Sequence, residues 1–385
     1  MKRWKIAGLF AMAFVLSTVP LKALAVSPEF AYTEEKWASL KDNKLEYEEI
    51  SELIHEYNTT VRQNALDYQE YRGKTSTEIS KEYYESADEV TQRISYPDDV
   101  SDGYASQISS ALNGEISAEN LIEQGDKNVD DGEIKRLGYE QTEKNLVQQA
   151  QKLMISYYSG KEALKTLESS VTQAETAYEQ AKTKVAAGMA LSSGVDTAAE
   201  TVTKAKASLR SAETSLDKTK KQLLILLGWS ADSEVELGTL PEIDPSSLSS
   251  IDIEADIKTA VTNNYSVRIT RQRLSNSQSE NNKITYTNTL KNQEDTVAAN
   301  VRNTYNSLLL TKDSYEQAKT AYELSEKERA AAELKLSAGV ITKKMYEKQE
   351  AACLSAKTAL ETARLELLTA KLTYDWAITG LASAA

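Results

Sequence analysis

Residues 188–229 read GMALSSGVDTAAETVTKAKASLRSAETSLDKTKKQLLILLGW, and residues 339–380 read GVITKKMYEKQEAACLSAKTALETARLELLTAKLTYDWAITG. The second stretch matches the first at an offset of 151 positions, which places Gly339 on Gly188. Small and apolar residues recur in both at steps of 4, 3, 4, 3 and 4, namely Ala205, Leu209, Ala212, Leu216, Thr219 and Leu223, and Ala356, Leu360, Ala363, Leu367, Ala370 and Tyr374. This a/d spacing is typical of a coiled-coil seam. It predicts an internal duplication of long helical hairpins.

The segments that lead into the two glycines carry the same spacing. The seam positions are Leu164, Leu167, Val171, Ala174, Tyr178, Ala181 and Val185, matched by Tyr315, Ala318, Tyr322, Ser325, Arg329, Ala332 and Leu336. Arg329 alone fits a seam poorly. The hexapeptide YEQAKT occurs at both 178–183 and 315–320 and suggests a rival offset of 137, but the glycines and the return segments favour 151.

Proline is confined to a few places in the 385 residues. None of the five prolines lies within residues 98–240 or 246–385. Because a proline inside a helix costs about 3 kcal/mol, this distribution permits two very long helical blocks. The sequence therefore predicts an all-α fold, and its narrow apolar seams predict that the chain packs against partner chains.

The pattern divides the chain into four parts. We expect a signal peptide at 1–25, a first repeat at 26–230 and a linker at 231–250, followed by a second repeat at 251–385. Within the first repeat, one helix is predicted from Tyr32 to Tyr71, and residues 73–132 are predicted to be an irregular insertion of short helices and loops. A polar patch at 281–294 is predicted to interrupt the helices of the second repeat.

Residues 1–25 have the organisation of a secretory signal. Lys2, Arg3 and Lys5 precede an apolar run at 6–19, and the sequence ALA at 23–25 is a small-x-small cleavage site. A retained membrane anchor is the alternative. Cleavage removes four positive charges and no negative ones, so the formal net charge changes from −13 to −17. So acidic a chain is not expected to bind nucleic acid.

No motif for enzymatic chemistry stands out. Cys353 is the only cysteine, cannot form an intrachain disulfide and falls on a seam, which favours a packed thiol. His55 is the only histidine and would have to lie beside a nucleophile to act in a catalytic triad. We therefore expect a protein that is not an enzyme and has no cofactor and no metal site.

Residues 126–132, DKNVDDG, resemble the start of a calcium loop. The glycine comes one position late, however, and no glutamate occupies the twelfth position. The alternative is that these acidic residues cap a helix that begins near Glu133.

At Gly188 and Gly339 the chain resembles the TolC family of outer-membrane export channels. The matching words are AAGMAL at 186–191 and SAGVIT at 337–342, with LLGW at 226–229. The resemblance covers about residues 40–72, 135–230 and 251–380. It implies a homotrimer of hairpins around a hollow cylinder, whose glycine turns meet a periplasmic adaptor (a membrane fusion protein) that works with an inner-membrane transporter. The implied adaptor-docking tips are Gly188, Met189, Ala190, Leu191, Gly339, Val340, Ile341 and Thr342.

The chain departs from that family in two respects. Members carry two strands per repeat, whereas here only residues 284–290 alternate in polarity, so the chain is expected to be a divergent member without the β-barrel strands. Known members also carry acids six and nine residues after the second glycine, and these positions are Met345 and Lys348 here. An acidic gate is therefore not implied.

The resulting hypothesis is an exported helical conduit component of a multi-part efflux or secretion system, located in the cell envelope, at the outer membrane or in the periplasm. It would move small molecules or peptides with an adaptor and an inner-membrane pump. A coiled-coil scaffold or adhesin-like envelope protein without a passage is the alternative.

Overall fold

The computed structural model describes residues 27, 31–97 and 103–384. The predicted signal peptide and its cleavage site lie outside them. The described residues form long helices with two short strands, which confirms the predicted all-α fold. The helices are α1 (Glu34–Ser39), α2 (Ile50–Tyr57), α3 (Thr59–Tyr71), α4 (Ser76–Gln92), α5 (Tyr104–Lys127), α6 (Gly132–Ala186), α7 (Ser193–Leu226), α8 (Ile253–Asn263), α9 (Tyr265–Asn276), α10 (Glu280–Ser337) and α11 (Lys343–Trp376).

Two helical hairpins, α6–α7 and α10–α11, dominate the structure. The return helices α7 and α11 each contain 34 residues. The leading helices α6 and α10 contain 55 and 58 residues, or about 80 to 90 Å at 1.5 Å per residue. All the predicted seam positions on both arms, including Arg329, are buried or half-buried. The predicted seams are confirmed.

The two hairpins pack side by side into one wall. Helix α6 lies between α7 and α11, and α11 lies between α6 and α10. A second buried face of α11, formed by Leu365, Leu368 and Leu372, contacts Ile155 of α6. The indole nitrogen of Trp376 also donates to the Gln151 carboxamide oxygen, at 2.8 Å. Because α7 and α10 each have one hairpin neighbour, they form the edges of the wall.

Two buried asparagines hold the ends of the return helices. Asn58 follows α2, caps α3 and donates from its side-chain nitrogen to the Leu226 carbonyl oxygen, at 2.7 Å. Asn264 occupies the same place between α8 and α9, and donates to the carbonyl oxygens of Gly380 and Ala382 at 3.2 and 2.8 Å. Each asparagine thus joins the short helices of its own repeat to the end of its own hairpin.

The prediction of an irregular insertion at 73–132 was wrong. Helices α4 and α5 form an antiparallel hairpin there. Their close approach depends on small residues of α5, because an added side chain at Gly114 would meet Ile94 at 2.9 Å and one at Gly125 would meet Tyr84 at 2.5 Å. In the second repeat, the corresponding place is the short connection between α9 and α10.

Two further boundaries differ from the prediction. The single helix expected from Tyr32 to Tyr71 is divided into α1, a 3₁₀ turn at Tyr47–Glu49, α2 and α3, because a two-residue strand and the Asn58 cap interrupt it. The polar patch at 281–294 does not interrupt a helix, since it lies inside α10. Polar residues are tolerated there because many of them face solvent.

The acidic loop before α6 joins the two repeats. The Asp131 carboxylate accepts the backbone N–H of Ile134 at 2.9 Å, which confirms the capping interpretation. Its other oxygen accepts from the side chains of Gln272 and Asn276, both at 2.7 Å. Asp130 pairs with Arg273 at 2.8 Å. These carboxylates are therefore engaged in capping and pairing, and no cluster of His, Cys, Asp or Glu suited to a metal ion occurs in the described residues.

The linker is anchored on one face of the wall. Its strand β2 (Glu236–Leu237) pairs in parallel with β1 (Lys44–Leu45). The Tyr158 hydroxyl of α6 donates to the Leu237 carbonyl oxygen at 2.8 Å. A 3₁₀ helix at Pro245–Ser250 then leads to α8, and a π turn at Ala377–Leu381 ends α11.

Replacing the two asparagines tests their structural role. We expect Asn58→Ala and Asn264→Ala each to lower the free energy of unfolding by about 1–3 kcal/mol, because a cap and a buried hydrogen bond are both lost. Urea unfolding monitored by circular dichroism measures the change. Asn288→Ala, at an exposed position in α10, is the control and should change it by less than about 0.5 kcal/mol. Equal effects at all three positions would contradict the proposed role.

Candidate docking tips and open edge

The two long hairpins end in the same turn. At the first tip the N–H of Gly188 donates to the Val185 carbonyl oxygen at 2.9 Å, and that of Met189 to Lys184 at 2.8 Å. At the second tip the N–H of Gly339 donates to Leu336 at 2.9 Å, and that of Val340 to Lys335 at 2.8 Å. This is the Schellman pattern of helix termination. Both glycines have φ of +71°, a conformation that other residues rarely adopt.

Apolar side chains project from both turns. Met189 and Leu191 are 75% and 80% exposed, and Val340 is 71% exposed. Large apolar side chains that are this exposed at a loop tip are suited to contact a partner. The structure therefore gives three of the predicted tip residues a surface suitable for docking.

Two other predicted tip residues have roles within the turn itself. Ile341 is half-buried, so it is less available than Val340. Thr342 caps α11, because its hydroxyl oxygen accepts the backbone N–H of Met345 at 3.3 Å. Changes at these two positions would disturb the turn as well as any contact.

The two tips lie at the same end of the wall. A shallow groove is lined by Glu175, Glu179 and Lys184 near the end of α6 and by Lys344 in the first turn of α11. Since residues near both turns line one groove, a single partner could contact both hairpins.

The wall also has an exposed apolar edge that the sequence analysis missed. Leu310, Leu324 and Leu334 of α10 are 69%, 58% and 72% exposed. They are 14 and 10 residues apart, close to multiples of the 3.5-residue coiled-coil period, so they lie along one side of the helix. The opposite edge helix, α7, exposes small side chains at Thr203, Ala207 and Thr214. Polar residues separate the three leucines in sequence, so they do not form a continuous apolar pattern.

The single histidine and the single cysteine both pack within the helical structure. The His55 ring lies 3.3 Å from the Glu143 carboxylate, and this hydrogen bond raises the histidine pKa. Cys353 is a buried free thiol on its seam, as predicted. In residues 31–97 and 103–384, no helix has both the length and the apolar character that a membrane crossing requires.

The turn glycines can be tested by substitution. We expect Gly188→Ala and Gly339→Ala to destabilise the tips by about 1–2 kcal/mol each, because alanine is strained at positive φ. Faster protease cleavage at the tip and a lower melting temperature would show it. Gly194→Ala is the control, because Gly194 lies in α7 without positive φ and with open space around it. If Gly194→Ala lowered the melting temperature as much as the two turn variants do, the turns would not require glycine at positive φ.

Comparison with solved structures shows the same fold at low sequence identity. The outer-membrane channel OprN superimposes with a TM-score of 0.54 and 12% identity over 91% of this chain and 93% of that one. The CmeC outer membrane channel of Campylobacter jejuni gives 0.51 and 11% over 92% and 89%. A membrane protein from Pseudomonas aeruginosa gives 0.51 and 14% over 87% and 90%.

No protein-family description matches the sequence, and no curated protein is similar to it in sequence. The similarity therefore resides in the fold. This chain has the duplicated-hairpin architecture of outer-membrane channels.

Proposed function

We propose that this protein is the wall-forming subunit of an exported conduit, in which copies of the chain close into a tube around a passage. The conduit would belong to a multi-part efflux or secretion system of the cell envelope, placed at the outer membrane or in the periplasm. The observation that carries this proposal is a wall with one apolar edge on α10 and one edge of small side chains on α7. Contact between unlike edges is head-to-tail, and such contacts form a ring when the rotation between successive copies closes.

A homotrimer is the proposed assembly, by resemblance to the TolC family. Four hairpin helices per chain would give twelve around a ring. The protein would act through its geometry, without catalysis, and energy would come from an inner-membrane transporter. Its cargo would be small molecules or peptides.

The tips would provide the site for a periplasmic adaptor. Met189, Leu191 and Val340 are exposed, and both turns lie at one end of the wall. Three copies would present six related apolar turns. A repeated array of this kind suits an adaptor that is itself assembled as a ring.

The edge contact can be broken without unfolding the chain. We expect Leu310→Asp with Leu324→Asp to convert a trimer into monomers in sedimentation experiments, because carboxylates would be buried against the next copy at several kcal/mol each. The helical circular dichroism should persist, since both side chains are exposed in the single chain. Leu112→Asp with Ile116→Asp, two exposed aliphatic positions on α5, is the matched control. Unchanged trimers of the edge variant would contradict this interface.

The tip contact needs a separate experiment. A photo-reactive residue at Leu191, in cells of the native host, should cross-link to an adaptor that mass spectrometry identifies. Met189→Asp with Val340→Asp should abolish that product and leave the trimer intact, whereas Ile225→Asp, at an exposed position far from the tips, should not. Cross-linking that survives the tip variant would refute docking at these turns, and a scaffold without a passage would then be favoured.

A further inference from the structure

A cavity of about 610 Å³ lies where the two hairpins meet, between α6, α10 and α11. On α11 it is lined by Glu366, Thr369 and Thr373 among others, whereas Leu368 and Leu372 of the same helix line a separate cavity beneath the linker. The cavity is therefore on the face of the wall opposite the linker. It exists only because both repeats contribute to it.

Lys152 of α6 is the cation of this cavity. It is half-buried, and no carboxylate of the described residues forms an ion pair with it. Burial without a counter-charge lowers the pKa of its ammonium group. Glu366, on the α11 side of the same cavity, does not pair with it. An anion that entered the cavity would supply the missing charge.

Further hydrogen-bond donors surround the same space. The cavity is lined by the half-buried Ser159 and by the exposed Ser156, Asn303 and Ser307. None of these side chains hydrogen-bonds to another described residue, so each can donate to a bound anion. In contrast, Thr369 and Thr373 in the same cavity donate to carbonyl oxygens of their own helix, at 2.9 and 2.8 Å. An ammonium group with a carboxamide and hydroxyls provides the donors that a carboxylate or phosphate requires.

We propose that this cavity binds a small organic anion, with Lys152 as its counter-charge and with Asn303 and the serine hydroxyls as hydrogen-bond donors. The Glu366 carboxylate would repel an anion, so the anionic group would lie on the α6 and α10 sides of the cavity. All the residues of this binding site belong to a single copy of the chain. Its location on the wall of a passage rests on the proposed function, in which three such lysines would surround the passage and favour anionic cargo.

Pyridoxal 5′-phosphate is a suitable probe because it carries a phosphate and an aldehyde. A lysine amine condenses with the aldehyde to an imine and releases water, and borohydride then reduces the imine to a stable amine that mass spectrometry can locate. Pyridoxal is the same aldehyde without the phosphate, so it measures the intrinsic reactivity of each amine. We expect the labelling ratio of the two reagents at Lys152 to exceed that at the exposed Lys357 by about tenfold, equivalent to about 1.4 kcal/mol of binding.

Variants and competitors separate anion binding from a merely reactive amine. Asn303→Ala with Ser307→Ala should lower the ratio at Lys152 while pyridoxal labelling is unchanged, and Glu366→Gln should raise it. Inorganic phosphate and succinate should protect Lys152 from both reagents. If the ratio at Lys152 equals that at Lys357, or if neither anion protects, the proposed site is refuted.

The oligomeric state of the same sample keeps the two proposals apart. If a monomeric protein prefers the phosphate reagent at Lys152, the anion site is supported and the passage is contradicted. If the protein is a trimer and Lys152 shows no such preference, the conduit is supported and the anion site is contradicted.

Discussion

The structure depends on one constraint, the narrow width of its helical seams. A single row of small and apolar residues holds α6 to α7, and another holds α10 to α11. A row this narrow buries one side of a helix and leaves the other side in water. Broader contacts lie toward the end of the wall away from the tips. There the short helices of each repeat bury apolar clusters against α6 and α7 or against α10 and α11, and Leu365, Leu368 and Leu372 form a second buried face that joins α11 to α6. The chain therefore forms a thin wall, and a thin wall has edges that only another copy or another protein can cover.

The hairpins could be predicted from sequence because their causes are local. A 3.5-residue period identifies the seams, and a glycine at positive φ identifies each turn. The α4–α5 hairpin could not be predicted in the same way. Its contact surface is built largely of Ala111, Gly114, Ala118 and Gly125, which contribute little to an apolar pattern although they permit close packing. The leucine edge of α10 was missed because polar residues separate its members.

The candidate tips were only partly predictable for a related reason. Sequence placed eight residues at the turns, but exposure distinguishes Met189, Leu191 and Val340 from the half-buried Ile341 and the capping Thr342. The asparagine contacts are non-local and have no sequence signal at all. Asn264 follows Asn58 by 206 positions instead of 151, because α4 and α5 have no counterpart in the second repeat. This displacement conceals the correspondence from any search at a fixed offset.

The proposed conduit requires that thin walls of this chain close on themselves around a passage. Projection images of the purified mature protein in the electron microscope test it most directly. We expect end-on views of a closed ring with three-fold symmetry and a stain-filled centre, and side views of a narrow rod. Solid rods without a central opening, or particles the size of one chain at micromolar concentration, would contradict it.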